Sequence, residues 1–188
     1  MADAKQSTWS TRQLVTMALL CAIAILLSFV EFPIFPAAPY LKYDASFVAV
    51  MVAGFAYGPA AGVAVGTVAW AIHGLMMGDL PGTIMNIISM LGFLLPAAFI
   101  YKRNHTFKGA IIGLAVGIVC TIICALLGNL VITPWYTGMP LQAIIDLILP
   151  VLLPFNALKA VLNAIITAAV YKGVSNLIKP VKEQVKGR

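Results

Sequence analysis

Charged positions are so sparse along this chain that they punctuate it. Charge-free runs cover residues 13–30, 45–78, 80–101 and 109–145, and another would cover 147–171 but for Lys159. Their length and uniformity rule out strands that alternate lipid-facing and lumen-facing side chains, so the pattern predicts membrane-spanning helices. The first run follows Arg12 as a signal peptide would, but no small-residue cleavage site precedes Glu31, and it is retained as a helix. The 45–78 run holds 34 residues, whereas one crossing takes about 20. Gly58-Pro59 within it can turn the chain, leaving 45–57, which is short for a span, and 59–78, which is ample.

The basic residues choose between one crossing and two. A single crossing would put Lys5 and Arg12 on the face opposite Lys102, Arg103 and Lys108; two crossings put them together, as the excess of Lys and Arg in cytoplasmic loops favours. The expected architecture is therefore all-α and integral to the membrane. Six transmembrane helices lie near residues 12–30, 45–57, 59–78, 83–101, 109–132 and 154–172, and both termini are cytoplasmic. Residues 1–188 form one membrane domain, with an N-terminal tail of about 1–11 and a basic C-terminal tail of about 173–188. Three prolines stiffen an outer loop after helix one, 133–140 reads as another outer loop, and 141–153 as an outer or re-entrant helical piece.

Composition agrees. Hydrophobic residues make up 62% of the chain, charged residues 10%, and mean hydropathy is +1.00. The net charge of +6 raises nucleic acid as a partner, but the cations flank apolar segments, so an anionic leaflet is the expected neighbour and no nucleic acid is. On this layout ten of the twelve basic residues lie inside, Lys42 and Lys159 excepted, while Glu31, Asp44, Asp79 and Asp146 lie outside. The halves show no internal repeat of the kind found in inverted-repeat carriers. The motifs of P-loop nucleotide binding, zinc peptidases and serine hydrolases are missing, so no enzyme is expected, and no catalytic or metal-ligating set is read. Cys21, Cys120 and Cys124 read as small buried residues.

Lys159 is the conspicuous exception. A lysine at the bilayer centre costs about 3 kcal/mol or more, so it marks a functional site, unless it snorkels outward or serves a structural ion pair. Pro154 suits the first position of a helix, which places Lys159 less than two turns from the outer end of helix six. Asn156 shares its face at i,i+3, and Asn129 and Asn86 reach a similar depth near the outer ends of helices five and four. Three amides and an ammonium suit the polar edge of a heteroaromatic ring, although each asparagine alone is equally suited to joining helices. Phe32, Phe35, Tyr40, Tyr43, Trp135, Tyr136 and Phe155 lie on the outer side, where they serve either a planar ligand or an interfacial belt. His73 reads as a packed or interfacial histidine, and Ala18-x-x-x-Ala22 as a small-residue face on helix one.

Four stretches carry a resemblance: Pro39-Tyr-Leu-Lys-Tyr-Asp44, Phe55-Ala-Tyr-Gly-Pro-Ala-Ala-Gly62, Gly128-Asn-Leu-Val-Ile-Thr-Pro134 and Leu149-Pro-Val-Leu-Leu-Pro-Phe-Asn-Ala-Leu-Lys159. In order and across essentially the whole chain, they resemble the substrate-binding S components of energy-coupling factor vitamin transporters, most closely the riboflavin-specific branch. The resemblance implies a high-affinity riboflavin binder in a bacterial cell membrane. Its pocket would lie between the first outer loop and the outer ends of helices four to six. By match of motif, Asn129, Asn156 and Lys159 would face the polar edge of the isoalloxazine, Tyr40 and Leu41 would close over the ring, and Asn86 is a looser match. The resemblance also implies a membrane T component, contacted through Ala18 and Ala22, two cytoplasmic ATPases, and transport by toppling in the membrane. Riboflavin is then cargo and no cofactor is implied. Lys159 needs a counter-charge, for which Asp146 and Asp44 are the candidates. The alternatives are an S component for another vitamin such as pantothenate or thiamine, and a self-contained proton-coupled carrier or membrane scaffold.

Overall fold

The computed structural model describes residues 9–35 and 40–178. Helix α1 (Thr11–Phe29) begins at a reciprocal cap: the Ser10 hydroxyl accepts from the Gln13 N–H, and the Gln13 side chain accepts from the Ser10 N–H. It buries Met17, Leu20, Ala24 and Ser28 on one stripe against α2 and α3. Two short strands follow, β1 (Phe32–Pro33) and β2 (Lys42–Tyr43), paired antiparallel with Phe32 opposite Tyr43. A Glu31–Lys42 ion pair stands at their base. The proline-stiffened loop is thus a small ribbon, and Pro36 and Pro39 lie outside the described residues.

Helix α2 (Ser46–Tyr57) is the element the others enclose, with every residue from Ser46 to Phe55 buried. Its 12 residues rise only about 18 Å, against a hydrocarbon core of about 30 Å. Gly58 ends it at φ 95°, a conformation open to glycine, and Pro59 occupies the first turn of α3 (Pro59–Met77). Helix α4 (Leu80–Arg103) is capped by Asp79, whose carboxylate accepts from the Gly82 N–H at 2.9 Å. Helix α5 (Phe107–Thr137) lies close along α4. A Cβ at Gly113 or Gly117 would fall 2.7 Å from the carbonyl oxygens of Ala97 and Phe93, so glycine is what admits that approach.

The last segment departs from the sequence reading. Helix α6 (Leu141–Leu147) does not stand apart; it continues through a π-helical turn (Ile148–Leu152) into α7 (Leu153–Ile178). Pro150 and Pro154 have no N–H to donate, and the ladder slips by one residue, the Leu153 N–H reaching the Ile148 carbonyl. Pro154 therefore marks a register shift within a helix rather than a beginning. Lys159 lies 18 residues beyond Leu141, about 27 Å along the path, not within two turns of an end. Two smaller corrections share the same cause, proline inside or near a helix end. Helix α5 runs through Pro134 to Thr137 rather than stopping near 132, and α4 starts at Leu80 rather than near 83, with Pro81 in its first turn.

Counting the α6–α7 path once, the described residues form six helical segments, and the protein is an integral membrane protein of the expected all-α class. Five of them, all but α2, are long and apolar enough to cross a membrane.

Candidate ligand-binding site

A cleft with about 810 Å³ of empty space, mouth included, opens between the first loop, α2, α4, α5 and α7. Tyr40, Leu41, Asn86, Asn129, Asn156 and Lys159, from four separate parts of the chain, all line it. Helical spacing brings Asn156, Lys159 and Ala160 to one face of α7, and Asn129 and Thr133 to one face of α5.

At the floor lies a buried ion pair. The Lys159 ammonium donates to Asp44 Oδ2 at 2.8 Å and to Asn86 Oδ1 at 3.0 Å. Lys159 is 8% exposed and Asp44 2%. Two charges so removed from water persist only when paired and further hydrogen-bonded. Asp44 meets that condition through Oδ1, which accepts from the Ser46 backbone N–H at 3.0 Å and from the Ser46 hydroxyl. Asp44 can reach this depth because α2 is short and starts beside it. Asp146, the other candidate partner, instead accepts from Gln142 on the exposed side of α6. Behind the ammonium, the Phe47 and Trp70 ring centroids lie 5.2 and 5.9 Å away, faces on which a cation is favourable.

The amides are braced from their own helices. Asn86, Asn129 and Asn156 each donate one N–H to the carbonyl four residues back, at 2.8 to 2.9 Å. Asn129 Oδ1 also accepts from Thr133 at 2.9 Å. Each amide is held in a fixed rotamer and keeps a second N–H for another acceptor. Aromatic and soft side chains complete the walls: Phe47, Phe155, Tyr136 and Met85. Phe35 stands edge-on to Phe155, with centroids 6.3 Å apart. Next to the cleft, the Tyr43 hydroxyl is buried with no hydrogen-bond partner, and burial, with the Asp44 carboxylate beside it, pushes this phenol above its usual range.

Other residues of the site escaped the sequence reading. Asn163, fully buried, donates to the backbone carbonyls of Asp44 at 3.2 Å and Lys159 at 3.0 Å, joining the first loop to α7. Its spacing of four from Lys159 was the available signal. Thr121, whose hydroxyl donates to the Ser89 carbonyl at 2.7 Å, gave none, since a threonine in an apolar helix is unremarkable in sequence.

Other candidates fall elsewhere. His73 is packed: it bonds Ser28 Oγ through Nδ1 at 2.9 Å and stacks on Phe29. Ala18 and Ala22 lie on the exposed side of α1, among Leu14, Val15, Leu19, Ile23 and Leu26. Among the described residues no group of three His, Cys, Asp or Glu side chains could hold a metal ion.

The family model described as "ECF transporter, substrate-specific component" matches residues 12–171. The chain belongs to this family. The substrate-specific component is part of a transporter and is not an enzyme. The chain is 35% identical to "Riboflavin transporter RibU" of Staphylococcus aureus over 93% of this chain and 96% of that protein. It is 32% identical to "Riboflavin transporter FmnP" of Bacillus subtilis over 85% and 90%. Among solved structures, "Structure and mechanism of the S component of a bacterial ECF transporter" superposes with a TM-score of 0.78 at 32% identity, covering 90% of this chain and 98% of that one. The S component for biotin from an ECF-type ABC transporter shares the fold, with a TM-score of 0.59 at 17% identity over 88% and 95%.

Proposed function

We propose that this S component binds riboflavin with high affinity at the outer face of a bacterial cell membrane and delivers it inward with a T component and two ATPases. The observation that carries the reading is the convergence of Asn86, Asn129, Asn156 and Lys159 on one aromatic-walled cleft, in a chain whose relatives are riboflavin transporters. Riboflavin pairs a flat apolar ring system with a pyrimidine edge of carbonyls and an imide. Amide donors and acceptors with one ammonium match that edge, each charge-assisted bond contributing about 1.5–3 kcal/mol. Tyr40 and Leu41 close over the ring from the first loop.

Orientation follows from charge. The start of α1 and the α4–α5 connection share the end opposite the cleft, where Trp9, Gln13, Lys102 and His105 line one cavity. Lys102, Arg103 and Lys108 are exposed there, which suits an anionic cytoplasmic leaflet and supports the proposal that both termini are cytoplasmic. The exposed Ala18 and Ala22 face is the proposed seat of the T component, since small residues admit close helix approach.

Purified protein should carry or take up yellow, fluorescent flavin, with saturable binding on titration. A colourless protein that ignores riboflavin and binds another vitamin from a competition panel would overturn the substrate and keep the family.

A further inference from the structure

This inference rests on the riboflavin reading and concerns what Asp44 does for the site. An ammonium has three N–H donors. On Lys159 one meets Asp44 Oδ2 and one meets Asn86 Oδ1. A single donor remains, and Lys159 lines the cleft. Asp44 is held without help from the lysine: Ser46 occupies Oδ1, and Asn163 holds the backbone carbonyl. At 2% exposure it can neither swing away nor be hydrated in place. It therefore aims the remaining N–H and cancels the positive charge behind it. The other titratable side chains around the cleft cannot substitute. Tyr40, Lys42 and Tyr43 lie on the first loop, where Lys42 is paired with Glu31; Tyr136 projects from α5, and the Asp79 carboxylate is taken up by the Gly82 N–H at the start of α4. From α3, His73 stands behind Trp70 and is engaged by Ser28; α2 and α4 contribute no titratable side chain to the lining.

We infer that Asp44 is a specificity-determining residue: it lets the cleft present one directed ammonium N–H with no net positive charge, and so selects a neutral carbonyl edge over an anionic one. Burial sharpens the choice, because an unbalanced charge interacts far more strongly there than in water.

The test compares riboflavin with 8-hydroxyriboflavin, whose ionised hydroxyl spreads negative charge onto the pyrimidine edge at neutral pH. Both are titrated against the purified full chain and its Asp44→Asn variant. The wild type should prefer riboflavin by about tenfold or more, and Asp44→Asn should weaken riboflavin while shifting the ratio toward the anion by about tenfold. A ratio unchanged in Asp44→Asn overturns the assignment and leaves the riboflavin reading intact. A wild type that binds neither ligand overturns both. If Asp44→Asn does not fold, the double variant Asp44→Asn, Lys159→Met, which removes both charges, should fold, lose about tenfold in riboflavin affinity, and gain nothing for the anion. Wild-type riboflavin affinity in that variant would equally overturn the proposal.

Discussion

Helices α1 and α7 are built from similar apolar stock but present opposite faces to their surroundings. On α1 the outward face is Leu14, Val15, Ala18, Leu19, Ala22 and Ile23, all exposed. On α7 the inward face carries Lys159 and Asn163, both buried and hydrogen-bonded, with Asn156 at the cleft. In water both arrangements would be faults. In lipid an exposed leucine costs little, because acyl chains are as apolar as the protein core, whereas a buried polar group still demands partners. The difference separates two duties. The α1 face is smooth and makes few demands, as suits contact with lipid or another helix. The α7 face is closely determined, because Lys159 exists at its depth only with Asp44 and Asn86 around it.

Substitutions can break this contrast at either side. Ala18→Trp should abolish uptake in cells containing the T component and ATPases while leaving flavin titration of the purified protein unchanged; persistent uptake would remove α1 as the coupling face. Lys159→Ala should weaken riboflavin binding at least tenfold and, by stranding the buried Asp44 carboxylate, lower stability by about 3–5 kcal/mol, read from the unfolding midpoint. Asn156→Ala should cost about tenfold in affinity with little loss of stability, because its brace lies within its own helix. Unchanged affinity in both variants would remove the α7 face from the site. The smallest effect belongs to Tyr43→Phe, which deletes a buried hydroxyl that has no partner. Stability should hold or rise by up to about 1 kcal/mol, and a clear fall in unfolding temperature would show that the hydroxyl is satisfied after all.

Much of the candidate site was legible because its chemistry is rare for its setting. A lysine and three asparagines in a chain with 10% charged residues draw notice without any coordinates, and all four line the cleft. Asp44 was harder to weigh against Asp146, because both flank apolar segments and sequence carries no depth. Asn163 was visible as a spacing but not as a brace, since its partners are backbone carbonyls, one of them on a loop more than a hundred residues away.

The helices themselves were legible for the same reason that membranes are restrictive solvents. With no water to satisfy the backbone, an apolar run of sufficient length has to be helical. Hydropathy and charge distribution alone thus determined a six-segment helical membrane protein, with breaks at Gly58-Pro59 and at the first loop. They could not determine how proline would act in the last segment, because a missing N–H can either start a helix or be absorbed by a π turn, and neighbouring helices decide which. Nor could they show that Asp44, just before the short α2, meets Lys159 on the last helix. That meeting is a property of packing between distant segments, and it turns an isolated charge into a neutral, directed donor.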